Sequence, residues 1–259
     1  MKFRAESPRG EETHAKTPTR RALILAQSRW ELRATFSNGE QLLLVLGIPV
    51  LLIAVGSWLP GLGISPVNDG IAPMVSACVV ACAFTSLAIA TAFERRAGAL
   101  TFLATTPLGR SGLLIGKLVA TGLVTCVSIA AVVATAMFVG WRPGTVLVGQ
   151  LVVVVGALVL ACIGCASWAF LAAGVLRAEA VLAVANAVFL GLVFLGGIAV
   201  PVSALPQPWG NVVPLLPTGA LISALRAPGD LEAIVVLMLW GLVGCALALR
   251  LFRWDDRRA

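Results

Sequence analysis

The chain has 259 residues, of which 59% are hydrophobic and only 12% carry a charged side chain. A composition this apolar excludes an ordinary water-soluble protein, and the few polar segments are too short to form a separate soluble domain. The formal net charge is +7. A basic rim that faces anionic lipid accounts for this excess, so the charge implies no nucleic acid partner.

The first forty residues precede any long apolar stretch. Residues 1–18 are polar and broken by proline, which predicts a disordered cytoplasmic tail. Residues 19–36 predict a helix in the plane of the membrane surface, with Trp30 at headgroup depth and Arg29 and Arg33 on lipid phosphates. Its polar face would carry Gln27, Ser28, Glu31 and Thr35. The alternative is an extension of the first membrane span.

Six apolar stretches follow, each of about the 20 residues that a helix needs to cross a bilayer. They are Gln41–Leu59, Ile71–Phe93, Leu113–Gly140, Thr145–Ala173, Val181–Val200 and Ala233–Leu251. Because every backbone polar group in lipid must be bonded within the protein, these stretches must be helices. We expect the two charges near span ends, Lys117 and Arg250, to reach the headgroups through their long stems. The sequence therefore predicts an all-α membrane protein with six transmembrane helices in a domain over residues 37–259.

The Lys and Arg residues are strongly biased to one side of these spans. Seventeen of the 19 fall on the side of the two termini, and only Arg142 and Arg226 fall on the other. Because basic residues concentrate in cytoplasmic loops, both termini are predicted to be cytoplasmic. The Pro-rich residues 201–230 then lie outside, as short helices before the last span, and Thr218 is a candidate cap of one of them.

The spans hold few residues that could carry out catalysis. The only His, His14, lies in the tail, which excludes intramembrane Ser–His proteolysis and haem ligation by His. Cys162 and Cys165 lack the second pair that a zinc site needs, so we expect packing residues and no metal site. Around Gly116 and Lys117 the sequence lacks the Gly and the Ser or Thr of a phosphate loop. The chain is therefore predicted not to be an enzyme.

The loop between the second and third spans, residues 94–116, is the most informative polar segment. A short helix is predicted over residues 96–105, before Pro107. Leu100 and Leu103 would give this helix an apolar contact edge, which is unusual for a loop that meets only water. A solvated loop that carries positive-inside charges is the alternative.

Three segments carry a resemblance to a known family. Arg29–Ile53 has an Arg-rich helix, an Asn-Gly-Glu turn and a Pro within the span. Glu94–Leu118 has the pattern Glu-Arg, Gly-x-Leu, Thr-Pro-Leu and Gly-Lys, and the Pro-rich stretch Pro201–Arg226 precedes the last span. In this order the segments resemble the membrane subunits of ABC-2 type transporters, the group that includes the daunorubicin-resistance exporters.

The resemblance implies a permease subunit of an ATP-driven exporter in the bacterial plasma membrane, with a type V exporter-like fold. It implies a dimer of ATPase subunits, which would bind ATP and Mg²⁺, and a second permease, identical or homologous. In this family the loop between spans two and three holds a coupling helix that sits in a groove of the ATPase. Carried over to this sequence, the coupling residues are Glu94, Arg95, Arg96, Gly98, Leu100, Leu103, Thr106 and Pro107.

The substrate path is expected to be apolar, because the spans hold almost no titratable side chain. We expect it at the interface of two permeases, with polar contacts from Ser128 and Asn186. Asn186 could instead hold the bundle together by an interhelical hydrogen bond. Such a path suits an amphipathic, drug-like or lipid-like compound. The alternatives are a channel or secondary carrier that works alone, and a membrane scaffold that transports nothing.

Overall fold

The computed structural model describes residues 19–58, 71–144, 147–200, 202 and 206–253, and all regular structure in these residues is helical. The helices are α1 (Arg20–Ser37), α2 (Gly39–Leu42), α3 (Ile48–Trp58), α4 (Ala72–Val79), α5 (Leu87–Arg96), α6 (Ala99–Ala104), α7 (Gly109–Phe138), α8 (Val148–Val175), α9 (Ala178–Leu195), α10 (Trp209–Val212), α11 (Pro217–Arg226) and α12 (Leu231–Leu251). Two π-helical segments, Leu43–Gly47 and Val80–Ser86, join α2 to α3 and α4 to α5. The predicted tail, residues 1–18, lies outside the described residues.

Five of the described helices are long and apolar enough to cross a membrane, by length and composition: Ala72–Arg96, α7, α8, α9 and α12. They coincide with the second to sixth predicted spans. However, α9 ends at Leu195 instead of Val200, because Gly197 adopts a left-handed φ of 83°. The first predicted span coincides with α2, α3 and the π-helical segment between them, and the apolar helix found there, Val45–Val55, is shorter than a membrane span. The count of six spans therefore stays a prediction.

The helix Ala72–Arg96 forms the centre of the bundle. In its most apolar stretch 78% of the residues are buried, compared with 17–28% in the other four membrane-length helices. This helix is rich in Ala, Ser, Thr, Cys and Val. Such small side chains let neighbouring helices approach closely. Its first part packs against α11, and its middle and last parts pack against α8 and α9.

Helices α8 and α12 form the most extensive helix pair. Their backbones meet at two glycines, since a Cβ built on Gly164 would lie 3.5 Å from the Gly241 nitrogen. Further along, a Cβ on Gly244 would overlap Ser167 Oγ. We call this contact the α8–α12 seam. A Cβ at Gly244 would push the two helices apart, whereas at Gly164 it would just fit in van der Waals contact, so Gly244 is the position that limits their distance.

The two ends of the bundle differ in charge. We call the end at which α5, α8 and α12 finish and α7 and α9 begin the basic end, because many of its residues are Arg. At the opposite end α11 packs against α4 and α12. The cap predicted there was wrong: Leu216 precedes α11, and Thr218 Oγ1 instead donates to the Gly196 carbonyl at 3.0 Å. Pro217 occupies the first turn of α11, where its missing N–H costs nothing.

Candidate functional site

The loop predicted to couple to an ATPase forms α6 at the basic end. The helix is shorter than predicted, because α5 continues to Arg96 and Gly98 separates the two helices with a φ of 76°. Only glycine adopts this left-handed conformation at little cost. Two large side chains of α6 differ sharply in burial: Leu100 is 0% exposed, whereas Phe102 is 72% exposed.

Leu100 fixes α6 to the rest of the chain. It forms a buried cluster with Leu108 and Leu113, and Leu23, Ile24, Leu103 and Phe252 border this cluster. Leu100 therefore offers no surface to a partner, which corrects the contact edge predicted from the sequence. Leu103 is half-buried beside it. Phe102 is the large apolar side chain that α6 presents outward.

Arg95 and Arg96 tie the end of α5 to the turn between α8 and α9. Arg95 is buried and donates from Nη2 to the Leu176 carbonyl at 2.5 Å. Arg96 Nη1 forms an exposed ion pair with Glu179. Thr106 Oγ1 donates to the Leu103 carbonyl at 2.6 Å and closes the end of α6, while Pro107 is exposed. The two Arg side chains therefore hold the loop 94–116 through contacts within the chain.

Lys117 on α7 is buried between two carboxylates. Its Nζ lies 2.7 Å from Glu31 Oε1 of α1 and 2.7 Å from Glu94 Oε2 of α5. Gln27 Nε2 also donates to Glu31 Oε1, at 2.8 Å. Because the Lys117 side chain is 1% exposed, it does not reach the headgroups, contrary to the prediction. We call Glu31, Glu94 and Lys117 the charged joint; it links α1, α5 and α7 and has a formal charge of −1.

Helix α1 turns its polar face toward α7. Gly116 makes room for this contact, since a Cβ there would lie 2.8 Å from Gln27 Cγ, and Ser28 Oγ donates to the Gly116 carbonyl at 3.1 Å. The other side of α1 exposes Arg29, Trp30 and Arg33. Asn38 is extended, with φ −100° and ψ 98°, and interrupts the helix before α2. Helix α1 is therefore not a straight extension of the first span, and its predicted lipid contacts stay a prediction.

The two residues predicted for the substrate path do not share a surface. Ser128 on α7 is 1% exposed and donates to the Val45 carbonyl at 2.7 Å, which ties α7 to the segment before α3. The Asn186 side chain on α9 is exposed and makes no hydrogen bond within the described part of the chain. Its alternative role, an interhelical bond inside the bundle, is therefore not found among those residues.

An apolar cleft of about 540 Å³ lies between α8, α9 and α12. Its lining includes Phe84, Cys165, Trp168, Val188, Leu237 and Trp240. The indole rings of Trp168 and Trp240 have centroids 5.4 Å apart. Both indole N–H groups are already bonded, to the carbonyls of Trp240 and Leu215 at 3.1 and 2.8 Å. The cleft can therefore hold an apolar group but offers it almost no hydrogen-bonding partner.

Sequence reasoning missed Phe102, the charged joint and the cleft. Phe102 is the only aromatic residue of the loop 94–116, and that signal could have identified it. The joint had a weaker signal: Glu31 on the polar face of α1, and Glu94 and Lys117 at span ends. The cleft had none, because its lining has the composition of any membrane span.

A known protein family matches most of this chain. The profile of the family described as ABC-2 type transporter matches residues 23–228, about four fifths of the chain, from α1 to the end of α11. Among curated proteins, none matches the chain. Members of this family are membrane transport components that are not catalytic themselves and normally work with an ATPase subunit. With helices long enough for several membrane crossings and a match over most of its length, the chain is a multi-pass membrane protein that belongs to the ABC-2 type transporter family.

Proposed function

We propose that the chain is the permease of an ATP-driven exporter of an amphipathic, drug-like or lipid-like compound. Its energy would come from a dimer of separate ATPase subunits, bound at the basic end. The positive-inside bias supports a cytoplasmic position for this end and for both termini, in a bacterial plasma membrane. The direction of transport rests on the family resemblance.

The observation that carries this proposal is the way α6 is attached to the other helices. Phe102 is exposed at the tip of α6. Behind it, Leu100 packs against residues of α1 and α7, and Arg95 donates a hydrogen bond to the end of α8. A force on Phe102 would therefore reach several spans through packed contacts and not through a slack loop. An exposed aromatic side chain on a short helix also suits a groove in a partner, because aromatic anchors dominate binding energy at interfaces.

The exposed face of α9 supports a second permease beside this one. Asn186 lies near the middle of an 18-residue apolar helix, and its amide has no partner in the described part of the chain. A side-chain amide in hydrocarbon gains from an interhelical hydrogen bond. We therefore place Asn186, but not Ser128, at the interface of two permeases, beside the apolar path expected there.

Thiol cross-linking tests this function. The chain is purified from its natural host with the proteins that accompany it, with Cys introduced at Phe102, and a bifunctional thiol reagent is added. We expect a cross-link to an ATPase subunit from Phe102→Cys and none from Arg142→Cys, which lies at the opposite end. The parent chain with its six natural Cys gives the background.

Two outcomes would contradict the proposal. One is the absence of a Phe102→Cys cross-link to any ATPase in every nucleotide state. The other is transport of solutes, without ATP, by vesicles that contain this chain alone, which would favour a channel or secondary carrier.

A further inference from the structure

We propose that the cleft between α8, α9 and α12 binds an acyl chain of an anionic phospholipid from the surrounding bilayer. The lipid phosphate would lie at the basic end, beside Arg177, Arg250 and Arg253. This site goes beyond the proposed transport function and does not depend on an ATPase.

The shape of the cleft fits a ligand that enters sideways from lipid. Its floor is buried, with Val80 2%, Ala161 3% and Leu237 1% exposed. Its mouth is open: Val175 and Leu251 are each 49% exposed, at the basic end of the bundle. Because α8, α9 and α12 are membrane-length helices, the open side of the cleft would face lipid, and its mouth, where α8 and α12 end, would lie near the headgroups.

The size of the cleft fits one acyl chain. Its volume of about 540 Å³ falls within the roughly 300–1,000 Å³ of pockets that hold a small molecule. Along α12 the lining extends from Leu237 to Leu251, a distance of about 21 Å at 1.5 Å per residue. One leaflet contributes about half of the roughly 30 Å hydrocarbon core, so an extended chain from one leaflet can lie along the cleft.

The chemistry of the lining selects hydrocarbon. The strongest hydrogen-bond donors of the lining, the indole N–H groups of Trp168 and Trp240, already donate to backbone carbonyls. A ligand with a polar group in this position would leave that group without a hydrogen bond, at a cost. An acyl chain has no such group.

The charges beside the mouth select an anionic headgroup. Arg177 follows Leu176 of the lining, and Arg250 precedes Leu251. The Arg253 backbone N–H donates to the Gly174 carbonyl at 3.3 Å, which places Arg253 next to Val175. All three Arg residues are exposed, and none forms an ion pair with a carboxylate of the described residues. Guanidinium groups bind phosphate oxygens through paired hydrogen bonds.

Photolabelling in vesicles tests the site. The purified chain is placed in phosphatidylcholine vesicles with a trace of phosphatidylglycerol that carries a photoreactive group in its acyl chain, and adducts are mapped by mass spectrometry. We expect adducts on cleft-lining residues that unlabelled phosphatidylglycerol competes away and added phosphatidylcholine does not.

Two variants of α9 provide a matched pair. Val188→Trp places a large side chain in the lining of the cleft and should remove the competed adducts. Leu190→Trp lies on the same helix, 53% exposed and outside the lining, and should keep them. Replacing Arg177, Arg250 and Arg253 by Gln should lower the preference for phosphatidylglycerol over phosphatidylcholine, by roughly fivefold for each Arg.

Two results would overturn the site. Adducts spread evenly over lipid-facing residues, equal in Val188→Trp and Leu190→Trp, would mean surrounding bilayer lipid only. An unchanged lipid preference after the three Arg replacements would remove the headgroup from the proposal. Because the vesicles contain no ATPase, neither result bears on coupling.

Discussion

Two junctions between helices in this protein are built on opposite principles. The charged joint joins α1, α5 and α7 through directional contacts between ionised side chains, and glycine brings α1 close to α7. The junction of α8 and α12 with α9 has an equally tight seam on one side but leaves an apolar cleft of about 540 Å³ on the other. In lipid, a gap lined by apolar residues is not driven to close, because lipid tails are as apolar as leucine.

The comparison assigns different tasks to the two regions. The paired charges around the buried Lys117 favour one geometry of α1, α5 and α7. Because α6 packs against α5 and α7, its displacement would move these three helices together. A cleft that lipid can fill tolerates changes in the distance between α9 and α8. The charged joint is therefore suited to transmit movement, and the cleft is suited to admit a ligand.

The largest effect is expected from breaking the joint. Lys117→Met removes the buried cation between Glu31 and Glu94, whose side chains are 12% and 20% exposed. Removal of one partner from a fully buried ion pair costs about 3–5 kcal/mol, which is the upper bound for this change. We expect a lower free energy of unfolding in detergent and a smaller folded yield. The control is the triple variant Lys117→Met with Glu31→Gln and Glu94→Gln, which carries no unpaired charge and should recover most of the loss. Equal stability of Lys117→Met and the natural chain would show that the joint does not hold the three helices.

The next effect concerns Phe102, at the tip of the loop that we propose couples to the ATPase. Phe102→Asp should leave stability within about 0.5 kcal/mol, because surface substitutions rarely cost more. It should weaken binding of the ATPase by at least about 2 kcal/mol, or roughly 30-fold in Kd. Phe102→Leu keeps an apolar side chain and should retain more of the affinity. Titration of the purified ATPase against the chain in nanodiscs gives the three constants, and identical values would exclude Phe102 from the interface.

A smaller effect separates the seam from the open side of α9. Gly244→Ala places a Cβ against Ser167 and Trp168, and overpacking of this kind costs about 1–3 kcal/mol. Gly191→Ala on α9 meets nothing within 4 Å. It should instead gain roughly 0.5–1 kcal/mol, the advantage of Ala over Gly within a helix. Thermal unfolding of both variants measures the difference, and a change of the same sign in both would contradict the contrast.

Much of the helical architecture follows from composition, but the interior of the bundle does not. The five membrane-length helices have similar mean hydropathy, 2.0–2.5, yet Ala72–Arg96 has the lowest value and is by far the most buried. Burial here follows side-chain size, and hydropathy does not record it. In the same way, the sequence does not distinguish a Lys that reaches the headgroups from one that, like Lys117, pairs with carboxylates from two other helices.

The loop 94–116 shows a second limit of prediction from sequence, which is the register of its short helix. Its helix, its glycine and its proline were predictable from residue type. Leu100 and Phe102, two residues apart, face in very different directions, and which one is buried depends on where α6 begins. Gly98 sets that starting point through its left-handed backbone, so an error of one or two residues exchanges the anchor for the exposed side chain.

The smallest effect is expected at the exposed face of α9, which belongs to neither the charged joint nor the α8–α12 seam. Asn186→Leu removes the only amide from this helix, and an interhelical hydrogen bond in a membrane is worth about 0.6–2 kcal/mol. We expect a lower fraction of complexes that hold a second permease, seen by native mass spectrometry of material purified through a tag on this chain. Asn186→Gln keeps an amide and should retain more of the pairing.

Since the Asn186 amide has no partner in the described part of the chain, the folded chain itself should lose no stability in Asn186→Leu. A loss of stability without a change in pairing would show instead that the amide bonds within its own chain, and unchanged values for both would mean that this face of α9 meets lipid.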